Sequence, residues 1–317
     1  MAKVSVIVPV YNVENYIDRC LKSLVNQTLE DIEIIVVNDG SPDNSQKIID
    51  KYVKRYPNKV KSYIKENGGQ GSARNFGLEK STGEYIGYVD SDDYVEKDMY
   101  ERLYNKAKEK ELDIVVCGSY NVYEVTNDKT IDLDRIIFDD KKVNSFFGRM
   151  AVWNKIYKKS LVKGIKFRSK VWYEDLDFTV KVLTNAKKID YVNEPFYDYL
   201  IREGSTMNNS NVERNLEILQ AFDEIKDNKK YGNIIEFLAI DHIYISAIVR
   251  VINANEDKKL KKEVIKKLKD YVLNNFPNFK KNRYLYTLTR NRKIVYNLVN
   301  MNQFWLIKLL FKLKGRG

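Results

Sequence analysis

The sequence predicts an α/β fold: a doubly wound, mostly parallel sheet flanked by helices, followed by a helical C-terminal region. Three observations predict it. Short apolar runs alternate with amphipathic segments over residues 1–117, the signature of strand–helix–strand units. The links between them are short and rich in turn-forming residues. After Asn211, apolar residues recur only at three and four spacing, which is helical.

Taken in order, Val4–Val8 reads as the first buried strand. Ile17, Leu21 and Leu24 then place a helix over Tyr16–Asn26. Ile32–Val37 is the second strand, and Ile48, Ile49, Tyr52 and Val53 mark a helix over Ser45–Tyr56. Val60–Ile64, Tyr85–Val89 and Ile114–Cys117 are further strands, and a glycine-rich turn at Gly69–Gly71 opens a helix. Val122–Ile137 reads as a hairpin, Lys142–Ile156 and Asp175–Thr184 as helices, and Tyr191–Arg202 as one strand or two. Leu216, Leu219 and Phe222, then Ile234, Leu238, Ile245 and Ile248, carry the helical region. Lys258–Lys269 is lysine-rich but keeps Leu260, Val264, Ile265 and Leu268 at helical spacing, so it is a helix with a solvated face. The expected domains are residues 1–210 and 211–317.

Composition narrows the function. With 44% hydrophobic residues, 14 Gly and 5 Pro in 317, the chain is neither disordered nor collagen-like. Two cysteines, Cys20 and Cys117, exclude a disulfide scaffold and a four-ligand zinc site, and fit a reducing cytosol. They read as small core residues. A single histidine, His242, excludes multi-histidine metal centres and leaves acid–base work to carboxylates. It sits on an apolar helical stretch and reads as structural. No run of 18 apolar residues exists, and the N-terminus carries no secretion signal. The net charge of +11 is uneven: residues 256–317 hold 17 Lys/Arg against 4 Asp/Glu, and the rest hold 38 against 40. A near-neutral body with a basic end points to an anionic partner at that end alone.

In such a sheet, ligands bind beyond the carboxyl ends of the strands. The first strand runs into Pro9-Val10-Tyr11-Asn12 and the second into Asn38-Asp39-Gly40-Ser41. The third leads to Asn67-Gly68-Gly69-Gln70-Gly71 and the fourth to Asp90-Ser91-Asp92-Asp93. Alone, Asp90-Ser91-Asp92 is either a turn or a seat for a hard cation that bridges protein oxygens to a diphosphate. Three carboxylates on the ligand rim favour the cation. Asn38-Asp39-Gly40 is by itself a turn, and its place beside the first crossover suits a nucleobase contact. In Gly69-Gln70-Gly71-Ser72-Ala73-Arg74 an arginine replaces the third glycine of a dinucleotide fingerprint, after the wrong strand, which excludes a nicotinamide enzyme. The turn suits a phosphate, through backbone N–H groups and Arg74, or is an ordinary loop with a solvated arginine. Trp172-Tyr173-Glu174-Asp175 sets two aromatics before a carboxylate pair at a helix start. Capping explains one acid; a sugar-lining face and a general base explain all four. Trp153-Asn154-Lys155 is a weaker signal that an amphipathic helix alone would explain.

Together these stretches resemble the family 2 glycosyltransferases of GT-A fold, densely and in order over residues 1–120. Trp153-Asn154-Lys155, Glu174-Asp175 and Tyr199–Ser205 resemble bacterial members that build surface polysaccharides. The resemblance implies that Pro9, Tyr11 and Asp39 hold the nucleoside, and that Asn67, Gly69 and Arg74 border the nucleotide or sugar. It implies donor contacts from Asp90 and Ser91, a divalent cation (Mn²⁺ or Mg²⁺) on Asp92, and Asp175 as catalytic base with Glu174 beside it. Trp153, Trp172 and Tyr173 are then expected on the acceptor side. No Gln-x-x-Arg-Trp segment of the processive members is present, which argues for addition of one sugar. The implied partners are a UDP-sugar donor and a glycan or lipid-linked glycan acceptor, in the cytoplasm. A metal-dependent nucleotidyltransferase is the competing enzyme reading. Acids gathered on the rim of a near-neutral body argue against a nucleic-acid-binding protein.

In the tail, Ile294, Leu298, Met301, Trp305 and Leu309 recur at three or four residues, among Arg292, Lys293, Lys308, Lys312, Lys314 and Arg316. No acid lies beyond Asp270. This predicts either a basic amphipathic helix peripheral to an anionic membrane surface, which the resemblance places at the inner face, or a helix packed on its predecessors.

Overall fold

Val4–Val10 forms strand β1, and every residue of it is buried, as a parallel strand covered on both faces requires. It lies between β2 (Ile32–Asn38) and β4 (Tyr85–Tyr88), with β3 (Val60–Ile64) outside β2, all four parallel. The crossovers carry α1 (Ile17–Val25), α2 (Ser45–Arg55) and α3 (Gln70–Lys80). Helix α1 buries Ile17, Cys20, Leu21, Leu24 and Val25 against the sheet core.

The computed structural model describes residues 2–202 and 211–313, and the chain divides into two units, Met1–Ser205 and Thr206–Gly317. In the first unit β5 (Tyr94–Val95), α4 (Met99–Lys110), β6 (Ile114–Tyr123), β7 (Lys129–Asp132), α5 (Lys141–Ser145), β8 (Lys155–Lys158), α6 (Lys159–Val162), α7 (Glu174–Asn185) and β9 (Ile189–Ile201) follow. The sheet order is β3-β2-β1-β4-β8-β6-β9-β5, with β7 paired to β6. Strand β8 is antiparallel to both neighbours, so β6 and its parallel partner β9 point the same way as β4. The sheet is mostly parallel, as the sequence predicts.

The crevice arises where pairing stops. The β1–β4 register ends at Ile7 and Tyr88, whereas β1–β2 continues to Val10 and Asn38. The Val89 N–H still donates to the Ile7 carbonyl. Two residues on, facing the same side by the period of a strand, Pro9 has no N–H to offer. Strands β1 and β4 therefore part at the topological switch point, where α/β sheets bind ligands.

Several elements differ from expectation. Lys142–Ile156 is not one helix: it holds only the short α5, and Lys155–Ile156 belongs to β8. Backbone pairing with both β4 and β6 outweighs the local helical spacing. Helix α4, which buries Met99, Tyr100, Leu103 and Ala107, and the two-residue β5 were not anticipated. The hairpin is made by β6 and β7, and Ile189–Ile201 is a single strand with a register shift opposite Cys117–Ser119.

The second unit holds α8 (Glu217–Asp223), α9 (Gly232–Ala239), a π-helical stretch (Ile240–Ala247), α10 (Ile248–Asn253), α11 (Lys258–Asn275), α12 (Arg290–Asn300) and α13 (Phe304–Leu313). The expected single tail helix is two. Beyond the Met301 cap of α12, Asn302 turns left-handed, with φ 56°. The Gln303 N–H donates to the Leu298 carbonyl and the Asn302 N–H to that of Val299, a Schellman stop.

Candidate active site

The Asp90-Ser91-Asp92-Asp93 turn closes β4 on the crevice rim. Its fourth residue points inward: the buried Asp93 carboxylate accepts hydrogen bonds from the Tyr197 hydroxyl (2.8 Å) and the Leu200 N–H (2.8 Å). The same hydroxyl accepts from the Asp90 N–H at 3.1 Å. Burial, then the Asp92 and Asp90 charges, push the Asp93 pKa well up. Tyr197 thus pins both ends of the turn to β9. Sequence reasoning missed it, because nothing local marks a tyrosine whose partners lie over 100 residues away.

Trp153 belongs to this support. It is 5% exposed, in the core, with its ring 4.1 Å from that of Tyr197 and 5.6 Å from that of Tyr199. The expectation that it lines the acceptor side is corrected accordingly: its face is spent on the tyrosines that carry the turn. Next to it, the buried Lys155 ammonium donates to the Arg149 and Ala151 carbonyls (both 2.8 Å) and to Asn154 Oδ1 (2.6 Å). Burial lowers its pKa to about 8.

Asp90 and Asp92 stay at the rim, each beside a guanidinium. Asp90 Oδ1 accepts from Arg74 Nη2 (2.7 Å) and Gln70 Nε2 (2.8 Å). Asp92 Oδ2 accepts from Arg202 Nε at 3.0 Å and Nη2 at 2.9 Å, and the Arg202 guanidinium also lies 4.7 Å over the Tyr16 ring. Burial and the Asp90 charge raise the Asp92 pKa. No cluster of three or more His, Cys, Asp or Glu forms a metal cage among the described residues. Two hard oxygen donors one residue apart fit a divalent cation. Ser91 between them is buried.

Arg74 is the centre of the site. It projects from α3, is 2% exposed, and its Nη1 donates to Glu174 Oε1 at 2.7 Å while Nη2 serves Asp90. Burial opposes its charge, and the Asp90 and Glu174 carboxylates more than compensate, so its pKa is raised. Each terminal nitrogen thus gives one of its two N–H groups to a carboxylate. The Gly68 and Gly69 N–H groups donate to the Asp39 carboxylate (2.7 Å for Gly69 to Oδ2), and Lys65 Nζ pairs with its other oxygen at 2.6 Å. The anion in this backbone nest at the start of α3 is the protein's own side chain. Asn67 on that loop is exposed. Across the crevice Pro9 is buried, Tyr11 is exposed, and the Asn12 N–H donates to Ser41 Oγ at 2.8 Å, tying the first two loops together.

Glu174 and Asp175 open α7, whose cap is the left-handed Tyr173 with no side-chain capping bond. The acids occupy the first turn, where a helix favours negative charge. Glu174 is buried, and Asp175, Trp172 and Tyr173 are partly exposed. Packed surroundings, then the Glu174 charge, lift the Asp175 pKa to about 7 against the pull of Arg74. Segment 167–170 lies directly over the glycine-rich turn: a Cβ on Gly69 would sit 2.9 Å from the Lys170 nitrogen, and the Gly69 φ of 83° also favours glycine. Asn75 holds it on both sides, donating to the Phe167 carbonyl and accepting its N–H at 2.9 Å each. Of the Tyr199–Ser205 stretch, Glu203, Gly204 and Ser205 lie outside the described residues.

The model of the family described as "Glycosyl transferase family 2" matches residues 5–169. The chain is 36% identical over 219 residues to the glycosyltransferase GlyA of Streptococcus pneumoniae serotype 4, covering 64% of this chain and 31% of that protein. It spans less than two thirds of the length of the first curated relatives it matches. S. aureus TarS 1–349 in complex with UDP-GlcNAc superposes with TM-score 0.57 at 22% identity, over 96% of this chain and 81% of that one. The mannosyltransferase PcManGT of Pyrobaculum calidifontis, in complex with GDP-Man and Mn²⁺, does so with TM-score 0.60 at 15% identity, over 99% and 88%. The last two likenesses are likenesses of fold.

Proposed function

The chain belongs to glycosyl transferase family 2, and on that premise we propose that it is an inverting, non-processive glycosyltransferase. It moves one sugar from a nucleotide sugar to a hydroxyl of a glycan or lipid-linked glycan in surface polysaccharide synthesis. A UDP-sugar is the favoured donor, since the S. aureus neighbour binds UDP-GlcNAc. The observation that carries the reading is the buried Arg74, which joins Asp90 on the donor rim to Glu174 at the head of α7. It sets beside them Asp175, a carboxylate whose pKa is raised to about 7. A base poised near the working pH is what proton abstraction from a sugar hydroxyl needs.

In this mechanism Pro9, Tyr11 and Asp39 bind the nucleoside, with Asn67 and Gly69 along its edge. Asp90 and Ser91 orient the donor sugar, and Trp172 and Tyr173 flank the acceptor. Asp175 takes the acceptor proton while the acceptor oxygen bonds to the anomeric carbon from the face opposite the diphosphate. The bond from that carbon to the diphosphate breaks, and the diphosphate leaves with the electron pair. One base on one face inverts the anomeric centre. Asp92, with Asp90, would hold a Mn²⁺ or Mg²⁺ ion, whose charge would offset that of the departing diphosphate. Arg74 holds Glu174 in place beside Asp175, and the Glu174 carboxylate helps to hold the Asp175 pKa up. A lipid-linked acceptor would set this work in the cytoplasm, at the inner face of the cell membrane.

The test is a screen of nucleotide sugars and acceptors that measures release of nucleoside diphosphate with and without EDTA. Sugar-dependent release that EDTA abolishes and Mn²⁺ restores supports the reading. Release of pyrophosphate from a nucleoside triphosphate instead would make the protein a nucleotidyltransferase.

A further inference from the structure

Helix α13 has the composition of a buried helix and the exposure of a surface one. Its ten residues, Phe-Trp-Leu-Ile-Lys-Leu-Leu-Phe-Lys-Leu, include eight apolar ones, yet only Ile307 is buried. Trp305 is 64% exposed, Leu309 45% and Leu313 77%. These three follow each other at four-residue steps, and Lys308 and Lys312 fall between them, so all five share one face. Ile307 lies on the opposite side and seats the helix against α10 and α12.

The charge that α13 itself carries has one sign. No acid lies between Tyr271 and Gly317. Burial and then the nearby Lys308 charge lower the pKa of Lys261 on α11. The Lys269 ammonium lies 5.7 Å over the Phe304 ring, and burial and then Lys280 lower its pKa. Ammonium groups of α11 and α13 crowd here, and Glu256 and Asp257 near Lys261 and Asp270 near Lys269 offset them only in part. Arg292, counted from the sequence among the basic residues of the tail, is not part of this face. It donates to Asp241 Oδ1 at 2.6 Å and to Ser246 Oγ at 2.8 Å inside the second unit. Lys314 and Arg316 lie outside the described residues.

We propose that the Trp305–Lys308–Leu309–Lys312–Leu313 face docks on an anionic lipid bilayer. The indole and leucines enter the boundary between headgroups and acyl chains, and the lysine stems lie along it with their ammonium groups among the phosphates. A short helix held from behind by Ile307 lies flat on such a surface; among the described residues no helix is long and apolar enough to cross one. Apolar contact and charge act together, so binding needs both anionic lipid and the exposed side chains.

The experiment is flotation of the full chain with vesicles of phosphatidylglycerol and phosphatidylethanolamine, and with phosphatidylcholine alone, at low and high salt. Donor turnover does not enter it, so its outcome is independent of the catalytic reading. Binding is expected to the anionic vesicles only, and to weaken with salt. Each lysine at an anionic surface strengthens binding roughly fivefold, so the K308E/K312E variant should lose at least ~25-fold. Trp305→Glu with Leu309→Glu should abolish flotation with the melting temperature unchanged, because both side chains are exposed. The charge-reversal variant keeps the test decisive if the apolar one fails to fold. Three results would overturn the proposal: no flotation of the unaltered chain at low salt, equal flotation of all variants, or a dimer in lipid-free solution that the apolar variant dissolves. The last would assign the face to a second copy of the chain.

Discussion

Asp175 and Arg202 are the residues on which single substitutions say most. A carboxylate that acts as base must be ionised, and a pKa near 7 means that half of it is protonated there. We therefore expect kcat/KM to fall about tenfold per pH unit below ~7 and to level off above it. Asp175→Asn should lower turnover ~10²–10⁴-fold and leave the donor dissociation constant unchanged; unchanged turnover would place the base elsewhere. Arg202 supplies a different test. Its guanidinium sits on Asp92 Oδ2, so a cation arriving alone must compete with a charge already there. Arg202→Gln is expected to tighten binding of free Mn²⁺ by ~10-fold in a nucleotide-free titration. Weaker or equal binding would remove Asp92 from the ligand set.

Among the elements, β8 shows why part of the architecture was illegible. Its four residues have no strand signal of their own; the vacancy between β4 and β6 makes them a strand. By contrast the four loops at the carboxyl ends of β1 to β4 were readable, because buried strands and turn residues are local signals. The partners of Arg74, Tyr197 and Lys155 were not, since each bond depends on which distant backbone passes by. Helix α4 carried a readable apolar spacing that the sequence reading passed over. The tail stripe misled for another reason: left-handed Asn302 resets the helical phase, so Leu298 is buried while Trp305 is not. At this scale we expect Lys155→Met to cost about 2–4 kcal/mol in urea unfolding, because it leaves three acceptors around a buried position without their donor. A cost near zero would mean that the 149–154 segment holds its shape unaided.

For the whole molecule, the family and the α/β class followed from the ordered rim motifs of residues 1–120 and are borne out by the family match and the sheet. The helical character beyond Asn211 was equally plain from its periodicity. The expected consequence for the complete enzyme is a product one sugar longer than the acceptor, even with donor in large excess. Mass spectrometry of the product decides it: a ladder of additions would contradict the non-processive reading. The linkage formed from an α-linked donor should be β by proton NMR of the anomeric signal.

Arg74 also has a place in the history of each molecule. Glu174 follows it by 100 residues, so a ribosome adding ~5–20 residues per second delivers the second carboxylate about 5–20 s after the arginine. Asp90, 16 residues on, emerges early in that interval. Until α7 arrives, a guanidinium buried beside one carboxylate would be short of partners and is better left hydrated. The first strands can pair during this wait, while the crevice must settle last. A nascent chain stalled before Glu174 would therefore own the first strands but no finished crevice, since the partners of the Asp90–Asp93 turn on β9 also come later. Chemical competence is acquired at a late moment of synthesis, set by the spacing of two residues in the gene.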